Sequence, residues 1–273
     1  MKKNREYYYP VLSNRDYGYF RIGGPGLANC MFLAVKAYIE ARKNNGIFVA
    51  PTWRKFSIGP LLRHEKDKRM YNSLFNDVGL SGLAKLFVIF FKKKSVHKID
   101  QLGNFFGEIN KDMPLVQEYF YKILKRETVE LVNDNKLKDY VAVHIRLGDY
   151  PANRRVSIDW YKGVISMIKK EIPSQQFILF SDGKEEELRP IISLPNVTRV
   201  FFGNAFADMW AISKTKAVIA SDSTFSAWGG YLGQIPILFN KRHFSSLYNG
   251  EILEIVLGDS TDVPFEFIQI LKR

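Results

Sequence analysis

The sequence predicts an α/β protein of two Rossmann-like lobes, the amino-terminal one richer in helix. Three observations carry this expectation. Between residues 140 and 239, five short, nearly continuous apolar runs alternate with stretches of helical periodicity. Near the start, a strand pattern, a glycine turn, a helix pattern and a second strand pattern follow one another. A chain of 273 residues is also long enough for two cores of ordinary size.

The elements are justified in order. Residues 17–22 read as a short strand, GGPG at 23–26 as a turn, 27–44 as an apolar-periodic helix closing near Asn45-Gly46, and 47–50 as a strand. This is the unit that builds parallel sheets. From Trp53 to Tyr140 the pattern is mostly helical and its strands are hard to place, with basic clusters at 63–69 and 92–94. The apolar runs at 140–145, 176–180, 198–202, 217–220 and 235–239 suit strands buried on both faces. Helical stretches separate them at 159–170, 208–215 and 225–232. The lobes are therefore expected at 1–140 and 141–273, the second a doubly wound sheet whose ligand lies beyond the carboxyl ends of its strands.

Composition removes several classes. A single cysteine, Cys30, excludes an internal disulfide and a multi-cysteine zinc cluster, which fits a reducing cytoplasm. The opening residues show no secretory pattern, and the longest apolar run, 86–91, is far shorter than a membrane span. The net charge of +12 is uneven: residues 1–140 hold 25 basic and 14 acidic side chains, the remainder 15 and 14. Such a basic half fits nucleic acid, an anionic membrane surface, a phosphorylated substrate, or simply a solvated surface. The cluster RHEKDKR at 63–69 mixes in acids and no recognition motif accompanies it, so nucleic acid is the weaker reading. The segment LAKLFVIFFKKK at 83–94 has two readings: a helix lying on an anionic membrane, or a buried helix whose lysines complement its dipole.

Two segments carry the chemistry. VAVHIRLGDY at 141–150 is a buried strand ending in His144, Arg146, Gly148 and Asp149. Arginine's planar fork suits a diphosphate, although Arg146 and Asp149 at a strand end could equally pair with each other. AVIASDSTFSAWGG at 217–230 is a strand, a hydroxyl-rich turn and a helix start. Helix N-termini bind phosphate through unpaired N–H groups, and Ser223 and Thr224 add donors; plain capping is the structural alternative.

These segments resemble motifs of the bacterial alpha-1,2-fucosyltransferase family. HIRLGDY at 144–150 is similar to its H-x-R-R-G-D-Y, SDSTFSAW at 221–228 to its S-N-S-T-F-S-W-W, and FSDG at 180–183 to its F-S-D-D. GLANCMF at 26–32 is a degraded match to G-L-G-N-Q-M-F. Leu147 stands where the family has a second arginine, Ala28 and Cys30 where it has Gly and Gln, and Asp222 and Ala227 where it has Asn and Trp.

The resemblance implies a two-lobe GT-B enzyme that inverts the anomeric centre, takes GDP-fucose as donor and a glycan as acceptor, and needs no cofactor and no metal. The absence of any Asp-x-Asp triplet agrees. Arg146 would hold the donor phosphates, with Asp222, Ser223, Thr224 and Phe225 at the helix start and Asp182 on the guanine or ribose; a turn role competes for Asp182. Asp149 and His144 are the candidate bases, Asp149 being favoured because His144 sits mid-strand; orienting Arg146 is the alternative for Asp149. Asn29 would shape the acceptor side, with a cap-region role at the start of the first helix as the competing reading. The acceptor would be a surface glycan, lipid-linked if the 83–94 segment docks on the membrane. A different donor or linkage, and a relative that binds sugar without transferring it, are the remaining alternatives.

Overall fold

A computed structural model describes residues 5–56, 71–132, 135–148 and 150–273, which form two compact units, Met1–Val129 and Glu130–Arg273. The division falls ahead of the expected 140/141 boundary. The basic cluster at 63–69 lies outside the described residues.

In the first unit the elements are β1 (Tyr7–Pro10), β2 (Arg15–Asp16), β3 (Arg21–Ile22), α1 (Leu27–Lys43), β4 (Ile47–Phe48), β5 (Lys55–Phe56), α2 (Gly82–Phe91), β6 (Val96–Ile99), α3 (Phe106–Ile109) and α4 (Met113–Ile123), with α5 (Arg126–Val132) crossing the division. The main sheet is parallel in the order β4-β1-β6, and β2, β3 and β5 make a second small sheet. This corrects the sequence reading. The strand that α1 joins to β4 is β1, whereas the 17–22 segment contributes only β3, in the other sheet. Helix α1 buries a nearly continuous face, including Met31, Phe32, Val35 and Tyr38, and Tyr38 meets Phe48 of β4 and Tyr119 of α4 edge-on or tilted.

The second unit holds β7 (Tyr140–Ile145), α6 (Ile158–Glu171), β8 (Gln176–Ser181), α7 (Glu185–Ile192), β9 (Val197–Arg199), α8 (Ala205–Ile212), β10 (Ala217–Ala220), α9 (Thr224–Gly233), β11 (Ile237–Phe239), β12 (Glu254–Val256) and α10 (Phe265–Lys272). Its sheet is parallel throughout, in the order β12-β11-β10-β7-β8-β9. Val141, Val143, Ile145, Leu179 and Ile219 are inaccessible and pack with Trp160, Tyr161, Val164 and Leu188 of the covering helices. Helices start on side-chain caps where the sequence supplies them: Ser157 for α6, Asn204 for α8 and Ser223 for α9.

The order of this sheet defines a topological switch point, the place where open α/β sheets bind ligands. From β7 the chain winds outward through β8 and β9, then returns to the other side of β7 with β10 and winds outward through β11 and β12. The loops leaving β7 and β10 therefore diverge to opposite sides, and a crevice opens between them at the carboxyl ends. The pairing of Ala220 with His144 brings the two predicted motifs together at that switch point.

Candidate active site

The carboxyl end of β7 delivers the polar groups in a fixed sequence. His144 is the last polar residue inside the sheet: it is buried, its Nδ1 lies 3.1 Å from the Ser221 hydroxyl, and its ring stacks on Phe225 at 5.1 Å. Burial pushes its pKa down to about 4, with Asp182 pulling it up and Arg146 pushing it further down. The imidazole is thus neutral at pH 7, tying the end of β7 to the turn after β10.

Two residues on, Arg146 emerges from the sheet and pairs with Asp182, Nη1 to Oδ2 at 2.7 Å. The other Asp182 oxygen accepts the backbone N–H groups of Leu147 and Gly148 at 2.8 and 3.0 Å. The FSDG turn after β8 therefore grips the turn after β7. Gly148 belongs to this contact, because a Cβ there would come within 2.5 Å of Asp182 Oδ2. Asp182 is in this way an anchor for Arg146, one the sequence reading did not weigh. Asp149 itself lies outside the described residues.

Tyr150 completes the arrangement. The Arg146 guanidinium carbon lies 5.5 Å from the centre of the Tyr150 ring, and the Tyr150 hydroxyl donates to the Asp222 carbonyl at 3.2 Å. Asp222 Oδ1 accepts from the His243 backbone N–H at 3.0 Å and lies 2.5 Å from its Nδ1. A continuous chain of contacts, Asp182–Arg146–Tyr150–Asp222–His243, thus crosses the carboxyl ends of β8, β7 and β10 and reaches the loop after β11. Beside it, α9 begins at Thr224, with the Ser223 hydroxyl accepting from the Phe225 N–H at 3.3 Å.

The sequence reading missed Tyr150's role and His243 altogether. The signal for His243 was its place in KRH, just past the strand next to β10. Two further arginines brace the turns: Arg155 Nε donates to the Tyr150 carbonyl at 2.9 Å, and Arg199 Nη2 to the Gly183 carbonyl at 2.8 Å. In the first unit, Asn29 is half-buried in the first turn of α1. The turn before it is fixed by buried cations: Arg21 donates to the carbonyl of Gly23 at 2.7 Å, and Lys55 to that of Gly24 at 3.0 Å. Cys30, at the family's glutamine position, is buried and accepts from Arg21 at 3.4 Å.

The profile of the family described as "Glycosyl transferase family 11" matches residues 98–236, just over half of the chain and all three motifs of the second unit. The chain belongs to glycosyl transferase family 11. Alpha-1,2-colitosyltransferase of Escherichia coli is 30% identical over 129 residues, 43% of this chain. The aligned stretch spans 44% of that curated relative, under half its length. Among solved structures, NodZ alpha-1,6-fucosyltransferase co-crystallized with GDP superposes with a TM-score of 0.54 at 13% identity, covering 86% of this chain and 94% of that one. Fucosyltransferase NodZ from Bradyrhizobium gives 0.52 at 12%, covering 86% and 96%. At such identities the likeness is one of fold, and that fold is the GT-B type, as the family's motifs imply.

Proposed function

We propose that this protein transfers fucose from GDP-fucose to a hydroxyl of a glycan acceptor with inversion, forming an alpha-1,2 linkage in a bacterial surface polysaccharide, without a metal. The observation that supports this best is Arg146 held by Asp182 at the β7/β10 switch point, beside the start of α9. A planar fork oriented by a carboxylate, next to a helix N-terminus, presents donors where a diphosphate's charge grows as it leaves. In this reading Arg146 takes the β-phosphate, and Ser223, Thr224 and the α9 N–H groups take the remaining oxygens. Phe225 and His144 brace the turn from beneath, Asp222 positions His243, and Asp182 acts through Arg146.

The acceptor oxygen bonds to the anomeric carbon as that carbon's bond to the diphosphate breaks. The electron pair leaves on GDP, and the hydroxyl proton passes to a base. Asp149 remains the base favoured by its place after the strand. The Asp222–His243 pair supports a second assignment, since a carboxylate on Nδ1 orients an imidazole so that Nε2 can accept a proton. His144, buried and engaged by Ser221, is read as structural.

The likeness to a colitosyltransferase supports a second donor reading, a colitosyl group in place of fucose. Incubation with GDP-fucose or the corresponding colitosyl donor and a panel of β-galactoside acceptors, followed by NMR of the product, decides both donor and linkage. A fucosylated product with an alpha-1,2 linkage is expected. Exclusive use of the colitosyl donor, or another linkage, would replace the first reading. Peripheral contact with an anionic membrane, and through it a lipid-linked acceptor, belongs to the same proposal.

A further inference from the structure

Helix α2 is built inside out. Its only charged residue, Lys85, is buried: Nζ donates to Thr52 Oγ1 at 3.0 Å and lies over the Tyr9 ring, and burial pushes its pKa down to about 8. Four of its seven large apolar residues face outward instead. Leu83 is 85% exposed, Phe87 53%, Phe90 49% and Phe91 75%. At spacings of four, seven and eight from Leu83, they form one stripe along the helix, and Phe87 and Phe91 stack at 5.4 Å. The opposite face, by contrast, is seated on the unit: Val88 is buried, and Leu86 and Ile89 close over Gly18, where a Cβ would meet Leu86 Cδ2 at 2.8 Å. The helix is therefore held in place with its apolar stripe turned out.

A contiguous outward apolar stripe on a docked helix marks an interaction surface. The flanking charge indicates which kind. Lys92, Lys93 and Lys94 follow the last turn directly and are all exposed. An apolar helix face that ends in three exposed lysines complements a surface that is apolar below and anionic above. A second copy of the chain would set the same three lysines against its own basic unit, whose residues 1–129 carry 23 basic and 11 acidic side chains. We infer that α2 is a membrane-docking element that inserts Leu83, Phe87, Phe90 and Phe91 at the interface of an anionic bilayer, with Lys92–Lys94 on the headgroups. This inference rests on and deepens the membrane-contact reading proposed above, and its test does not involve the sugar donor, so its failure leaves the transferase reading standing.

The test is flotation of the full chain with vesicles of phosphatidylcholine alone or with 30% phosphatidylglycerol added, at low and high salt. Binding is expected only with the anionic vesicles, falling more than tenfold between 50 and 500 mM salt because exposed charges are screened. Lys92→Gln/Lys93→Gln/Lys94→Gln and, separately, Phe87→Ser/Phe91→Ser should each lower binding more than tenfold while the melting temperature holds. In Phe91→Trp, indole emission should shift to the blue on anionic vesicles. No binding at low salt, or binding unchanged in both multiple variants, overturns the inference. So does concentration-dependent dimerisation that Phe87→Ser/Phe91→Ser abolishes without vesicle binding, which would make the stripe an interface between copies.

Discussion

Replacing Arg146 with alanine separates catalysis from folding, and the structure sets both magnitudes. The ion pair with Asp182 joins side chains 26% and 31% exposed, so its loss costs about 1 kcal/mol or less after solvent screening. Contact with the Tyr150 ring adds roughly 0.5–1 kcal/mol. Asp182 is not stranded, because it keeps the N–H groups of Leu147 and Gly148. These two described contacts together amount to less than about 2 kcal/mol, or some 4–8 °C in melting temperature for a domain of this size. The transition state loses more: removing one donor from a developing oxyanion costs on the order of 100- to 1000-fold in kcat, about 3–4 kcal/mol. Arg146→Lys restores the charge but not the fork, and should recover little. Asp182→Ala is the complementary case. It leaves two backbone donors without their acceptor, so it should lower stability by roughly 2 kcal/mol and reduce kcat less than Arg146→Ala does. The assay is initial-rate transfer from GDP-fucose beside thermal melting of each variant. An Arg146→Ala protein within tenfold of the normal kcat would refute the clamp.

Three further outcomes follow from the same geometry. His144 has a folded pKa of about 4 against about 6.5 when unfolded, so the unfolded chain binds more protons between those values and stability is lost as pH falls through that window, by up to about 3 kcal/mol; urea melts should show a steeper loss from pH 6.5 to 4 in the unmodified protein than in His144→Asn, and equal slopes would contradict it. If His243 is the base, His243→Gln should lower kcat on the order of 100-fold or more and Asp222→Asn by less, with little change in melting temperature, whereas a His243→Gln rate within tenfold of normal leaves the role to Asp149. Excess EDTA should leave the initial rate unchanged, and a rate abolished by chelator and restored by manganese would remove the metal-free mechanism.

Much of the second unit was legible because parallel strands buried on both faces leave an unbroken apolar run. β7 and β10 fall at the expected 140–145 and 217–220. Among the strands that were read, the failures are at ends: β11 begins at Ile237, after Pro236, and β9 stops at Arg199, before the two phenylalanines that extended the apparent run, while α7, β12 and α10 were not read at all. The first unit was harder. β1 is three tyrosines and a proline, which carry no aliphatic signal although Tyr8 and Tyr9 are buried, and β6 reads VHKI with His97 and Lys98 exposed. Nothing local could pair β1 with β4 across α1. The same limit applied to the site. The motifs named Arg146, Asp182 and Asp222 but not which touches which, since Asp182 lies 36 positions from Arg146 and His243 lies 21 from Asp222. Strand order brings these together. The 83–94 segment was ambiguous for a different reason, because apolar residues predict burial whichever solvent the face meets, and only the seating of Lys85 shows which side is in.

The account rests on the second unit holding a guanosine diphosphate at the β7/β10 switch point. The direct measurement is the melting temperature of the protein with GDP, UDP, CMP and ADP, each at saturating concentration. A ligand at one hundred times its Kd stabilises the folded state by about 2.7 kcal/mol, roughly 5–10 °C for a domain of this size. GDP should raise the melting temperature by that amount, the others should not, and the rise should vanish in Arg146→Ala. An equal rise with UDP, or a GDP effect that survives in Arg146→Ala, would contradict it.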